Sequence, residues 1–240
     1  MWLNKEYLQK YFRSENFINR DLSWVEFNRR VLEEALNREL PLLDRIKFIS
    51  IFFSNLDEFY MIRVSGLKEQ IHAKVFDSTI DGLTPIEQLN LVEKSVRPML
   101  DKIHKYWVNE IIPELEKNNI YIKQLEELEE NEREELNNYF SREIYPVLTP
   151  LAFDPGRPFP YVSNLSLSFA ILVKKQNGDK HFARVKVPSL LPRLLRVNDI
   201  VKTPSKNGKS EIKFIWIGDL IKFNLQKLFP GLEILEAYRF

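Results

Sequence analysis

The stretch PLLDRIKFISIFFSNLDEFYMIRVSGL, residues 41–67, is the most apolar helical segment of the chain, and its reading decides the fold. Pro41 punctuates its start. Behind it Leu42, Ile46, Ile49, Phe53, Leu56, Tyr60 and Leu67 recur at helical spacing, while Leu43, Phe52, Phe59 and Ile62 form a second stripe. A helix apolar on two stripes is expected to be buried on more than one side, at the centre of a helical bundle. Upstream, Ser23 followed by Glu26 reads as a capping box, and Trp24, Phe27, Val31 and Ala35 predict a first helix from about Ser23 to Asn37. Downstream, Asp81-Gly82 marks a turn, and Thr84, Pro85 and Glu87 supply an N-cap, a first-turn proline and an N3 carboxylate. The stripe Leu89, Val92, Val96, Met99, Ile103, Trp107, Ile111 and Leu115 then predicts a helix of about nine turns, stopped at Asn118-Asn119. Residues 1–117 therefore read as an antiparallel three-helix bundle.

Beyond Lys117 the pattern changes. A short apolar run, Ile120 to Ile122, precedes an acidic helix near Asn131 to Ile144 and a proline-rich stretch from Pro146 to Pro160. Leu165 to Val173 reads as a strand with apolar residues on both faces. Asn177-Gly178 is a hairpin signal, and His181 to Val187 is the returning strand. A loop over Pro204 to Ser210 leads to a strand at Ile212 to Trp216, a helix near Leu220 to Leu228 and a last strand at Leu232 to Tyr238. Residues 118–240 read as an α+β domain, so the whole is α followed by α+β. Phe240 follows the last strand at once, which reads as an incomplete domain.

Composition narrows the function. Hydrophobic residues at 44% and charged residues at 29% of 240 fit a globular protein, with length for two modest domains. The chain has no cysteine, which excludes disulfides, thiolate metal sites and a cysteine nucleophile. Met1 to Arg20 is interrupted by charges and carries no signal-peptide run, and no stretch approaches the roughly 20 apolar residues of a membrane span. A cytoplasmic protein is expected. The net charge of +1 hides an acidic stretch between Pro113 and Asp154 and a basic one from Lys174 to Lys227. The basic half reads either as a polyanion-binding surface or as a solvated lysine-rich one. No nucleic-acid motif accompanies it, and nucleic acid is not an expected partner.

Catalytic signatures are absent. Asn207-Gly208-Lys209-Ser210 has the ending of a P-loop, but the required earlier glycine falls at Thr203 and no apolar strand precedes it. His72, His104 and His181 lie far apart without metal-ligand spacing, so no metal ligand is assigned. Asp57 and Glu58 are adjacent, and on a helix they point about 100° apart, unsuited to one acid/base pair. Asn55 is different: it places a primary amide inside the most apolar helix. A buried amide must find partners. Either Asn55 caps or kinks the helix between Phe53 and Leu56, or it hydrogen-bonds a ligand at the rim of the bundle, using both donor and acceptor.

Several segments carry a resemblance: Asn19-Arg20-Asp21-Leu22-Ser23-Trp24, Phe27-Asn28-Arg29-Arg30-Val31-Leu32, Pro41-Leu42-Leu43-Asp44-Arg45-Ile46-Lys47-Phe48 and Asn55-Leu56-Asp57-Glu58-Phe59. In this order they resemble the N-terminal domain of the large bacterial polyphosphate kinases. Tyr145-Pro146-Val147-Leu148-Thr149-Pro150-Leu151, Pro158 to Leu167 and Phe182 to Pro188 are similar to that family's head domain, and the likeness runs from about Phe17 to the C-terminus. The resemblance implies an enzyme of four domains: a helical N-terminal domain, a head domain used in dimer formation, and two phospholipase D-like domains absent here. It implies ATP and Mg²⁺ as reactants, with no Mg²⁺ ligand in this chain, and reversible phosphoryl transfer to polyphosphate through a histidine of the missing half. His72-Ala73-Lys74-Val75 shares letters with the family's phosphohistidine segment but lies in the wrong context. The family's asparagine before Leu-Asp-Glu-Phe contacts the nucleotide, and that position is Asn55 here. The implied partners are ATP or ADP, polyphosphate and a second copy, as a homodimer or homotetramer, with peripheral membrane association a further expectation. No catalytic residue is assigned, and the chain alone is expected to be inactive. A stand-alone polyphosphate-binding or oligomerisation module without catalysis is the alternative.

Overall fold

The computed structural model describes residues 10–153, 161–201 and 211–240. It divides into two compact units, Met1–Glu114 and Leu115–Phe240, and its architecture is mixed helix and sheet.

In the first unit α1 runs Arg20–Leu36. Its N-cap is Asn19, whose side chain accepts from the backbone N–H of Asp21 and Leu22, both at 3.0 Å. The Ser23–Glu26 box is thereby corrected: Ser23 N–H already donates to the Asn19 carbonyl inside the first turn. An asparagine four residues earlier satisfied the free N–H groups first.

Helix α2, Leu42–Phe59, continues through a π-helical turn, Tyr60–Val64, into α3, Ser65–His72. The expectation of burial on two sides fails within this unit. Arg45, Ile49, Phe52, Leu56, Phe59, Val64 and Leu67 make one buried stripe, while Leu43, Phe53 and Ile62 are exposed. An arginine occupies the first core position, and the two apolar stripes read from sequence straddle the real one. Helix α3 closes on Lys74 in the left-handed region (φ 56°), with Ala73 and Val75 N–H donating to the Glu69 and Gln70 carbonyls.

Helix α4, Pro85–Tyr106, begins with the Thr84–Glu87 capping box read from sequence. It passes through a π-helical turn, Trp107–Ile111, into α5, Ile112–Lys117. That turn shifts the phase: the core face runs Val92, Val96, Met99, Ile103 and Tyr106 at regular spacing, and the extra residue of the turn then brings Ile111 rather than Glu110 onto it. The helix ends at Asn119, in the left-handed region at φ 60°. Helix α1 packs on α2 and on α4, and α3 on α4.

The second unit holds two sheets. Strand β1, Ile120–Ile122, is parallel to β6, Ile212–Trp216, which pairs antiparallel with β5, Leu194–Arg196. Strands β2 (Thr149–Phe153), β3 (Leu167–Lys174), β4 (Lys180–Val187) and β7 (Glu233–Arg239) form an antiparallel sheet in the order β2-β4-β3-β7. The β3–β4 hairpin turns at Gly178, whose φ of 92° suits a residue without Cβ. Alternation is strict on the core face: Phe169, Ile171 and Val173 of β3 face the same side as Ala183, Val185 and Val187 of β4. On the other face Ala170 and Leu172 are only half-buried, which narrows the expected two-sided apolar strand to one buried face.

Helix α6, Glu130–Tyr139, with the π-helical turn Phe140–Ile144 behind it, contributes Leu136, Phe140 and Ile144 to this core. Helix α7, Val197–Ile200, follows β5, and the expected helix near Leu220 is two short ones, α8 (Ile217–Phe223) and α9 (Leu225–Leu228). Strands β2 and β5 were not read from sequence. The loop Pro204 to Ser210 lies outside the described residues.

Candidate functional site

Asn55 lies four residues before the end of α2, half-buried rather than sealed in the core. Its Nδ2 donates to Asn28 Oδ1 at 3.1 Å, and Asn28 Nδ2 donates to the Phe52 carbonyl at 3.1 Å. Asn28 is 1% exposed. One turn toward the N-terminus of α1, the indole of Trp24 stacks on Phe59 with centroids 4.2 Å apart and planes within 5°. Trp24 and Asn28 are four apart on α1, and Asn55 and Phe59 four apart on α2, so the stack and the amide pair are successive rungs between the same two helices. The Asn55 amide bonds across to α1 and caps no backbone group of its own helix. Its Oδ1 and one N–H remain open among the described residues.

Asn28, in the Phe27–Leu32 segment, is the partner that the sequence expectation for Asn55 did not include. Its signal was present: in the stripe Val25, Asn28, Leu32, Ala35 a polar residue occupies an apolar register, and such a residue is kept buried only where its hydrogen bonds are met.

The rest of the neighbourhood offers no chemistry. Asp57 and Glu58 are exposed on the helix surface. Burial, helped by the Glu93 carboxylate and opposed by Arg97, pushes the Tyr60 phenol above its ordinary value, so it holds its proton at neutral pH. His72 and His104 are exposed and His181 is half-buried on β4. His72-Ala73-Lys74-Val75 forms the C-terminal cap of α3 described above. Among the described residues no group of three His, Cys, Asp or Glu side chains is placed to hold a metal, and no helix is long and apolar enough to cross a membrane. The P-loop-like residues Asn207 to Ser210 lie outside the described residues.

The basic stretch after Lys174 is largely engaged locally. Lys174 pairs with Glu233 at 3.4 Å, Arg196 with Asp199 at 3.7 Å, and Lys213 with the buried Glu132 at 2.7 Å. Lys186 Nζ donates to Ser163 Oγ at 3.1 Å. Arg184, 4% exposed, donates to Ser168 Oγ and to the Tyr161 carbonyl. Lys202, Lys206 and Lys209 lie outside the described residues.

The arrangement at Asn55 is thus a hydrogen-bonding surface without a nucleophile, suited to holding a ligand. Comparison with known proteins agrees with the resemblance read from sequence. Residues 17–123 match the family profile described as polyphosphate kinase N-terminal domain, and residues 131–240 match that of the polyphosphate kinase middle domain. Polyphosphate kinase 1 of Chlorobaculum tepidum is 50% identical over 226 residues, covering 93% of this chain and 32% of that protein. The polyphosphate kinase of Thermosynechococcus vestitus is 43% identical over 227 residues, covering 92% and 30%. The crystal structure of polyphosphate kinase from Porphyromonas gingivalis superposes with a TM-score of 0.72 at 28% identity, over 92% of this chain and 32% of that one. The chain spans about a third of the length of the relatives it matches. With both family profiles matched in order and nearly all of its length covered, the chain belongs to the polyphosphate kinase family as its N-terminal portion.

Proposed function

We propose that this chain serves a polyphosphate kinase that transfers the terminal phosphate of ATP reversibly to inorganic polyphosphate, through a phosphohistidine carried outside these 240 residues. In this reading residues 1–117 are an antiparallel three-helix bundle that closes over the nucleotide, and residues 118–240 are the α+β head domain used in dimer formation, truncated before the phospholipase D-like domains. Asn55 is the residue of this chain that contacts ATP. It orients the nucleotide and takes no part in bond making, which falls to the histidine, arginines and Mg²⁺ of the complete, cytoplasmic enzyme.

One observation carries the reading: Asn55 occupies the position that the resemblance assigns to a nucleotide contact, and its amide is held half-exposed with hydrogen-bonding capacity to spare. An asparagine serving only the helix would have spent that capacity on its own backbone.

Polyphosphate synthesis from ATP and Mg²⁺ tests the assignment. The complete protein is expected to extend polyphosphate, and the 240-residue chain alone is expected to make none. Synthesis by the chain alone would refute the placement of the phosphohistidine elsewhere. A complete protein without activity would favour the competing module that binds polyphosphate or self-associates without catalysis. The short pair that Lys213 makes with the buried Glu132 weighs against polyphosphate binding by that cation.

A further inference from the structure

Three groups in the first unit form a hydrogen-bond relay with a fixed polarity. At its start the Phe52 carbonyl is only an acceptor, so Asn28 must turn Nδ2 toward it, at 3.1 Å, and Oδ1 toward Asn55. Oδ1 is again only an acceptor, so Asn55 must face it with Nδ2, at 3.1 Å. Turning the Asn28 amide over would set two oxygens together and leave a buried N–H without a partner, at 1% exposure. The end of Asn55 that stays open is therefore its carbonyl oxygen together with one N–H.

We infer that Asn28 is a positioning residue: it fixes which end of the Asn55 amide meets the nucleotide, and so makes the site select a base with an amino group at position 6, adenine, over a 6-oxo purine. The inference rests on the nucleotide role proposed for Asn55. An acceptor beside a donor complements the adenine amino group and its neighbouring ring nitrogen. A 6-oxo purine in the same place sets oxygen against oxygen. The amide cannot turn to accommodate it without breaking its bond to Asn28, whose own orientation Phe52 dictates. The phosphates, which carry only acceptors, are equally poor partners for Oδ1. Without Asn28 the Asn55 amide is free to rotate, and either base is met.

Dissociation constants for ATP and ITP test this in the complete protein that carries the segment, with Asn28→Leu, Asn28→Asp and Asn55→Ala compared with the wild type. The wild type is expected to prefer ATP by about tenfold, as one well-placed amide pair allows. Asn28→Leu is expected to bring the ratio below about threefold. Asn28→Asp keeps an acceptor facing Asn55 Nδ2 and, as the neutral acid favoured by burial, donates its O–H to the Phe52 carbonyl, so it is expected to retain the preference. An ATP/ITP ratio unchanged in Asn28→Leu overturns the inference, and so does loss of preference in folded Asn28→Asp. ATP affinity unchanged in Asn55→Ala overturns the nucleotide role beneath it, a separate result. Thermal melts establish folding of each variant, and should Asn28→Leu not fold, the Asn28→Asp ratio decides.

Discussion

Arg45 Nη1 donates to the hydroxyl of Tyr106 at 2.8 Å, joining α2 to α4 across 61 residues of chain, while Nη2 meets Glu114 Oε1 at 2.5 Å. Arg45 is 3% exposed. The Glu114 hydrogen bond raises its pKa, against the pull of burial and with help from Tyr106. A cation in the core stripe of α2 is thus tied to residues on either side of the second π-helical turn, Tyr106 before it and Glu114 after it.

Arg45→Met keeps the apolar stem and removes the charge. Because Glu114 is partly exposed and can be hydrated, the expected loss is about 2 kcal/mol, below the range for fully buried pairs. Urea unfolding of the variant and the wild type measures it. A loss under about 0.5 kcal/mol would show the pair to be incidental.

The corrected helix start gives a paired test. Asn19 caps α1 and also donates from Nδ2 to the buried Gln88 Oε1 at 3.1 Å. Asn19→Ala should cost about 1 to 2 kcal/mol, whereas Ser23→Ala should fall within about 0.5 kcal/mol of the wild type. Thermal melts of the two variants check the order. The reverse order would restore Ser23 as the cap.

In the second unit Lys213 on β6 binds Glu132 on α6, a residue 3% exposed whose carboxylate also accepts from the Glu129 N–H in the capping box. Burial pulls the Lys213 pKa down, but the hydrogen bond and charge of Glu132 outweigh it and hold the ammonium above 10.5. A raised folded pKa stabilises fully below the unfolded value and loses its contribution as pH rises through the folded one. Lys213→Met should therefore cost about 3 kcal/mol at neutral pH by leaving a buried carboxylate unpaired. It should also flatten the loss of stability above about pH 10.5. Chemical denaturation from neutral to alkaline pH reads both effects, and an unchanged alkaline slope would count against the assignment.

Much of this was legible in sequence where local chemistry and periodicity agree. The Thr84–Glu87 box, the Asn177-Gly178 hairpin and the Asn119 stop stand where turn and cap residues put them. Phase was not legible across the first π-helical turn, because its extra residue brings Val64 rather than Arg63 onto the core face without changing composition. Arg45 was missed as a core residue because its partners lie more than sixty residues away. Strand β2, Thr149–Phe153, was hidden by its proline: Pro150 is tolerated on this edge strand, where composition alone argues against a strand. At the site, Asn55 stood out as an amide in an apolar run, whereas the orientation of that amide required knowing which residue of α1 lies opposite.

The measurement that bears most directly on the account is the ATP dissociation constant of Asn55→Ala in the complete protein, taken with its melting temperature. A half-exposed amide bonded to a ligand predicts ATP binding weakened about tenfold, beyond the modest fall in melting temperature that comes from leaving Asn28 Oδ1 without its donor. Unchanged affinity with a lowered melting temperature would make Asn55 a packing residue of the α1–α2 contact and contradict the account.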